Sequence, residues 1–232
     1  MTTVVLVPGA WTGSWEWEPL IQELGPHGIS ARAVDLPSIG AADASVTPLD
    51  DAAAVRAVLD EASSDKLVVA NSYGGIVVAA AAHDRRDVRH LVYLAAHLPR
   101  PGEAVLDVLI GCGTEEFGKG IEILPDGRVA LDPEVALRCA HNRASDEVKA
   151  FVQQHQARLM SYGTDPTLAL DAVAWQEIPT TYVVCAADNV IRPDVQREWA
   201  SEVQFSEEWD ADHVPQLSNP QRVAGLIQRL VA

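Results

Sequence analysis

The chain has little cysteine, few basic residues and no long apolar run, and each shortage excludes something. Cys112, Cys139 and Cys185 are odd in number and widely separated, with no metal-ligand spacing. That argues against a disulfide framework and a zinc site and suits a reducing compartment. No stretch is apolar enough for long enough to span a membrane. The start, Met1-Thr2-Thr3, runs straight into a strand-like segment without a basic region or cleavage site, so a secretory leader is not expected and the cytoplasm is. Lys and Arg number 17 against 33 Asp and Glu, a formal charge of -16 with no basic cluster. Nucleic acid, anionic membrane and polyanionic substrates are therefore poor partners. The plain reading of the acidity is a solvated surface. Internal repeats and low-complexity tracts are lacking.

What remains, 232 residues of which 48% are hydrophobic, suits one well-buried α/β domain with an inserted segment. Its organising stretch is Lys66 to Val78, KLVVANSYGGIVV. A β-branched run ends at the small residue Ala70; Asn71, Ser72, Tyr73, Gly74 and Gly75 follow, and an alanine-rich helical pattern begins. Strand, sharp turn and helix would hold the Ser72 hydroxyl clear of the sheet edge with a helix N-terminus behind it. The pattern is a nucleophile elbow, A-x-S-x-G in place of G-x-S-x-G. Short serine-glycine patterns also serve as ordinary turns, so support must come from elsewhere in the chain.

Taken in order, Thr3 to Val7 reads as a buried strand broken by Pro8-Gly9-Ala10, and Ser14 or Thr12 as the cap of a helix continuing through Leu20, Ile21 and Leu24. Ile29 to Asp35 is a second strand, Thr47-Pro48 opens a helix, and Val88 to Ala95 is a strand ending at Ala96-His97-Leu98-Pro99. Residues 101–176 break the rhythm with a hairpin near Pro125 to Arg128 and helices near Pro133 to His141 and Ser145 to Ser161. This segment is expected to be a cap over the site, with 1–100 and 177–232 forming the core of a single domain. Alternation resumes with a strand at Thr180 to Ala186, a helix opened by Pro193, a strand at Val203 to Trp209 and a last helix to Leu230. The pattern predicts a doubly wound, mostly parallel sheet with its site at the C-terminal strand edges.

Ser72, Asp188 and His213 fall at those edges in the chain order serine, acid, histidine. A serine hydroxyl needs a base, which His213 can be near neutral pH, and Asp188 would orient the ring and stabilise the imidazolium. Asp194, Asp210 and Asp212 are rival acids. The oxyanion donors are expected to be the backbone N–H groups of Tyr73 and Ala10, with Gly9 allowing close approach. His97 and, among the tryptophans, Trp11 and Trp175 are pocket candidates; Trp15 and Trp17 read as packing residues. His27, His83, His90, His141 and His155 read as exposed.

The chain resembles the plant methylesterase and hydroxynitrile lyase family of α/β-hydrolases, with its bacterial esterase relatives. The likeness rests on VLVPGAWTGSWEW, VDLPSIG, NSYGG, LVYLAAHLP, YVVCAADNVIRPDVQREW and ADHVPQL, covering the core well and residues 101–176 poorly. It implies Ser72 as nucleophile, Asp188 as acid, His213 as base and Ala10 with Tyr73 as oxyanion donors, without a cofactor or metal. Pro8 stands where the family usually has histidine, and Ala70 where it has glycine. The lyase branch carries threonine at the position of Gly9 and lysine at that of Val214, where the cation stabilises departing cyanide. Gly9 and Val214 therefore resemble the esterase branch. The expected activity is hydrolysis of a small, mostly uncharged ester, a methyl ester being the first class to test. Hydroxynitrile cleavage and a non-catalytic ligand-binding role are the alternatives. Substrate identity and oligomeric state have no signature in the sequence.

Overall fold

In the computed structural model, which describes residues 2–61 and 65–231, the apolar runs become a six-stranded sheet in which every neighbouring pair is parallel. Its first four strands are β1 (Thr3–Val7), β2 (Ser30–Ala33), β3 (Lys66–Asn71) and β4 (Val88–Leu94). Between β4 and the rest of the sheet lie β5 (Ile121–Ile123), β6 (Val129–Leu131) and β7 (Leu159–Met160), which pair with one another as a separate antiparallel sheet. The main sheet is completed by β8 (Thr180–Cys185) and β9 (Phe205–Trp209), in the order β2-β1-β3-β4-β8-β9.

Alternation along the buried strands sorts side chains onto two faces. Val4 and Leu6 of β1, Leu67 and Val69 of β3 and Val92 and Leu94 of β4 meet Trp17, Leu20, Leu24, Val223 and Ile227. Those residues come from the 3-10 turn Ser14–Trp17 and from the first and last helices of the chain, Glu18–Leu24 and Pro220–Val231. Val5, Val7, Val68 and Ala70 face the opposite way, where Val55 and Leu59 of the helix Pro48–Glu61 and Ile76 and Val77 of the helix Gly74–Ala81 cover them.

Several boundaries differ from the sequence reading. Neither Thr12 nor Ser14 caps a helix: the Thr12 hydroxyl donates to the Gly9 carbonyl at 2.9 Å, and Ser14 is taken by Asp35 through both its N–H and its hydroxyl. The helix expected over Ser145 to Ser161 runs only from Asp146 to His155. Gln156 is extended, the Ala157 N–H donates to the Trp11 carbonyl, and Leu159–Met160 is captured by β6. Long-range pairing has overridden local propensity there. The second and last strands are shorter than expected, their ladder pairs running from Ser30 to Ala33 and from Phe205 to Trp209, although the Val34 N–H still donates to the Leu6 carbonyl at 3.0 Å.

The glycine pair after Ser72 is what lets this frame close. A Cβ on Gly74 would lie 2.7 Å from the Pro8 carbonyl oxygen and 2.8 Å from that of Val7, and a Cβ on Gly75 would collide with the His97 carbonyl oxygen. Rigid backbone is met in both cases, so neither clash can relax through a side chain. Gly75→Ala is expected to destabilise the fold by about 3 kcal/mol or more, whereas Gly225→Ala, inside the last helix where added volume meets open space, is expected to stabilise it by about 0.5–1 kcal/mol. Urea unfolding of the two variants checks this, and equal midpoints would refute it.

Candidate active site

β3 ends at Asn71, and the chain turns through Ser72 at φ +51 before the helix Gly74–Ala81 begins. This left-handed conformation is disfavoured for serine. It is held because the Ser72 carbonyl accepts N–H groups from Gly75 and His97, both at 3.0 Å. The Asn71 side chain adds a brace that sequence reasoning missed, donating to the carbonyls of Leu94 at 2.8 Å and His213 at 2.9 Å. It ties the strand that leads into Ser72 to the loop carrying His213.

Asp188 follows β8, and its carboxylate accepts four hydrogen bonds. Oδ1 takes the N–H groups of Val190 at 2.7 Å and Ile191 at 3.1 Å; Oδ2 takes Gln196 Nε2 at 2.7 Å and His213 Nδ1 at 2.7 Å. Since Oδ2 is an acceptor, Nδ1 of His213 carries the proton and Nε2 is left with a free lone pair. The rival acids are committed elsewhere. Asp212 accepts from the Ser218 hydroxyl, Asp210 pairs with Arg143, and Asp194 pairs with Arg192 at the surface. Gln196, which fixes Asp188 while bonding the Cys185 N–H and the Ile191 carbonyl, had no signal in the sequence beyond lying in a helix's first turn.

A cavity of about 400 Å³ opens above this group. Gly9, Ala10, Ser72, Tyr73, His97, His213 and Val214 line it, with Trp11, Leu109, Phe117, Tyr162 and Ile191 among its largely apolar walls. Among the described residues, the backbone N–H groups of Ala10 and Tyr73 are given to no other protein group. The loop bearing Ala10 is anchored by Trp11, which sits at φ +57 and whose indole N–H donates to the Val129 carbonyl at 3.1 Å.

Two expectations about the lining are corrected. Trp175 does not line the cavity: its indole donates to the Pro99 carbonyl at 2.8 Å and its ring is buried in the core. His141, expected at the surface, is buried and lines the cavity, because the loop after the helix Pro133–Cys139 folds inward against the core. Burial pushes His141 down to about 3 and His97 down to about 4, so both rings are neutral at working pH. Nε2 of His97 faces Cys112 Sγ at 3.3 Å, and burial drives that thiol up to about 12, leaving it uncharged.

Among the described residues, one group brings donor atoms close enough for a metal ion, His83 with Asp84 and Glu177. It lies outside the cavity, and its two carboxylates approach opposite ring nitrogens at 3.2 and 3.3 Å. That is an imidazole between two acids rather than donors converging on a centre.

With a parallel sheet, a serine on a strained turn and an acid-histidine pair at its C-terminal edge, the chain is of the α/β-hydrolase type, and residues 4–226 match the model of the alpha/beta hydrolase family, to which it belongs. Among curated proteins it is similar to methylesterase 7 of Arabidopsis thaliana, 28% identical over 96% of this chain and 94% of that protein. It is also similar to the alpha/beta hydrolase nvfD of Aspergillus novofumigatus, 24% identical over 97% and 94%. Its fold matches the crystal structure of polyneuridine aldehyde esterase with a TM-score of 0.83 at 18% identity over the whole of both chains. A pyrethroid hydrolase from Sphingobium faniae matches with a TM-score of 0.80 at 22% identity over 99% and 96%.

The neutral histidines set an acid limit on stability. His97 and His141 stay unprotonated in the folded protein while the unfolded chain takes up protons below about 6.5. Their contribution is therefore complete above that pH and is lost as pH falls towards 4 for His97 and 3 for His141. Each is worth on the order of 3 kcal/mol across its window. Denaturant midpoints should fall steeply between pH 6.5 and 4, and His141→Phe should flatten that slope; an unchanged slope would contradict the buried neutral state.

Proposed function

We propose that the protein is a serine esterase that cleaves small, mostly uncharged carboxylic esters through an acyl-enzyme on Ser72. The observation that carries the reading is the buried Asp188–His213 pair at 2.7 Å, with Nε2 of the ring free, at the same sheet edge as a serine held at φ +51. His213 takes the Ser72 proton as the hydroxyl attacks the ester carbonyl and returns it to the leaving alcohol; water then repeats the sequence to release the acid. Asp188 orients the ring and stabilises its charged form. The uncommitted N–H groups of Ala10 and Tyr73 are the oxyanion donors, the latter at the start of the helix Gly74–Ala81, whose dipole adds to them. Residues 101–176 are read as a cap, supplying Leu109, Phe117 and Tyr162 to the cavity.

The cavity favours an uncharged substrate, since its lining holds no Lys, Arg, Asp or Glu and the imidazoles of His97 and His141 are neutral. An ionised substrate would enter without a partner for its charge. A methyl ester remains the first class to test, in keeping with the methylesterase name carried by two similar proteins. Hydroxynitrile cleavage is disfavoured by the same lining, because Gly9 and Val214 offer no cation to a departing cyanide.

Labelling with a fluorophosphonate at pH 7.5 is expected to map to Ser72 and to be lost in Ser72→Ala and at least about 100-fold slower in His213→Ala. On a panel of short esters, neutral apolar acyl groups should exceed carboxylate-bearing analogues at least about tenfold in kcat/KM. Absence of labelling in the folded wild type, or rapid cyanide release from mandelonitrile without ester turnover, would overturn the assignment.

A further inference from the structure

Glu16 is a fully buried acid on the 3-10 turn Ser14–Trp17. Its Oε1 accepts the Gly9 N–H at 3.3 Å and the Gln216 side-chain amide at 3.2 Å. Gly9 precedes Ala10 on the oxyanion loop, and Gln216 lies three residues after His213, on the short helix Pro215–Ser218. One carboxyl group thus joins the two loops that must keep register for acyl transfer. Two atoms of this contact have no partner, Glu16 Oε2 and Gln216 Oε1, and both are buried. Both are acceptors if Glu16 is ionised. A proton on Oε2 makes that atom a donor, and the acceptor left vacant on the group already bonded to Glu16 is Gln216 Oε1.

We propose that Glu16 is a positioning residue for the esterase reaction, a buried acid that clamps the oxyanion loop to the histidine-bearing segment through Gly9 and Gln216 and makes turnover sensitive to alkali. The inference rests on the serine esterase reading. The neutral acid satisfies the contact without placing a charge behind the site where the oxyanion forms; the carboxylate would oppose that charge and leave Gln216 Oε1 unpaired. Burial pushes the Glu16 carboxyl up to about 7, against the opposing influence of the nearby Thr12 hydroxyl, the hydrogen bonds from Gly9 and Gln216 and the attraction of His213. His213 is the titratable group that acts on it from the segment before Pro215–Ser218. The oxyanion loop and that helix contribute the uncharged Gly9, Thr12 and Gln216.

Fluorophosphonate labelling of Ser72 comes first, followed by kcat and KM from pH 6 to 9.5 for the wild type, Glu16→Gln and Glu16→Ala. In the wild type kcat should decline above about pH 7, with KM little changed. Glu16→Gln reproduces the neutral acid, accepting from Gly9 and donating to Gln216, and should keep near wild-type kcat at pH 6.5 while losing the alkaline decline. Glu16→Ala should lower kcat about 10- to 100-fold at every pH. Thermal unfolding gives an independent readout. A carboxyl raised in the folded state contributes stability below its unfolded value that is lost as pH rises through about 7, so the Tm of Glu16→Gln should gain on the wild type between pH 5.5 and 8.5. A wild type that neither labels nor turns over would remove the esterase reading and this role with it. A labelled, active wild type whose alkaline decline persists in Glu16→Gln, or a Glu16→Gln as impaired as Glu16→Ala, would overturn the role of Glu16 alone.

Discussion

The left-handed turn at Ser72 is the constraint from which the neighbouring geometry follows. A non-glycine residue there costs about 1 kcal/mol or more, and the surroundings must over-determine it to keep it populated. They do so from three sides. The helix Gly74–Ala81 returns the Gly75 N–H to the Ser72 carbonyl, the loop after β4 adds the His97 N–H, and the absence of side chains at Gly74 and Gly75 lets β1 and the His97 backbone close in. The same closeness brings Gly9 and Ala10 beside the serine. A bulkier residue in this stretch would displace Ser72 and the loop bearing Gly9 and Ala10 together.

Charge is managed differently inside and outside the molecule. The surface carries the excess of acid that gives the chain its formal charge of -16, while the cavity lining holds no Lys, Arg, Asp or Glu. Beneath that lining four donors surround the Asp188 carboxylate, and two of them are the backbone N–H groups of Val190 and Ile191, whose positions do not depend on a rotamer. The preorganised donors replace water for the carboxylate. His213 thus receives a fixed, directional partner instead of a diffuse field.

The central elements were legible because each follows from local chemistry. Apolar runs that alternate with helical patterns give a parallel sheet, and a serine between small residues gives the turn at Ser72. Position at strand ends, chain order and the family resemblance pointed to Asp188 and His213, which lie 2.7 Å apart. What escaped was set by distant pairing. Nothing local in Gln156 to Met160 says that β6 will capture it, and nothing in the sequence around His141 says that its loop folds inward. Gln196 and Asn71 looked like ordinary polar residues, since their roles lie in bonds to segments far along the chain. Trp175 is a pocket candidate in sequence, but its indole N–H is held by the Pro99 carbonyl, a partner far along the chain.

Glu16 shows why such residues carry information once the fold is known. In sequence it is an acid beside a helix start, where a carboxylate on the surface would be favourable. In the structure it is enclosed, and a buried acid survives only if its contacts offset the cost of desolvation. Its partners belong to the loop bearing Gly9 and Ala10 and to the helix that follows His213, two segments about 200 residues apart in the chain and brought together beside the cavity. A leucine of similar volume would fill the space more cheaply but leave the Gly9 N–H and the Gln216 amide without acceptors. On the proposed mechanism the polar contact supplies register between two loops, which a reaction with donors and base on separate loops requires.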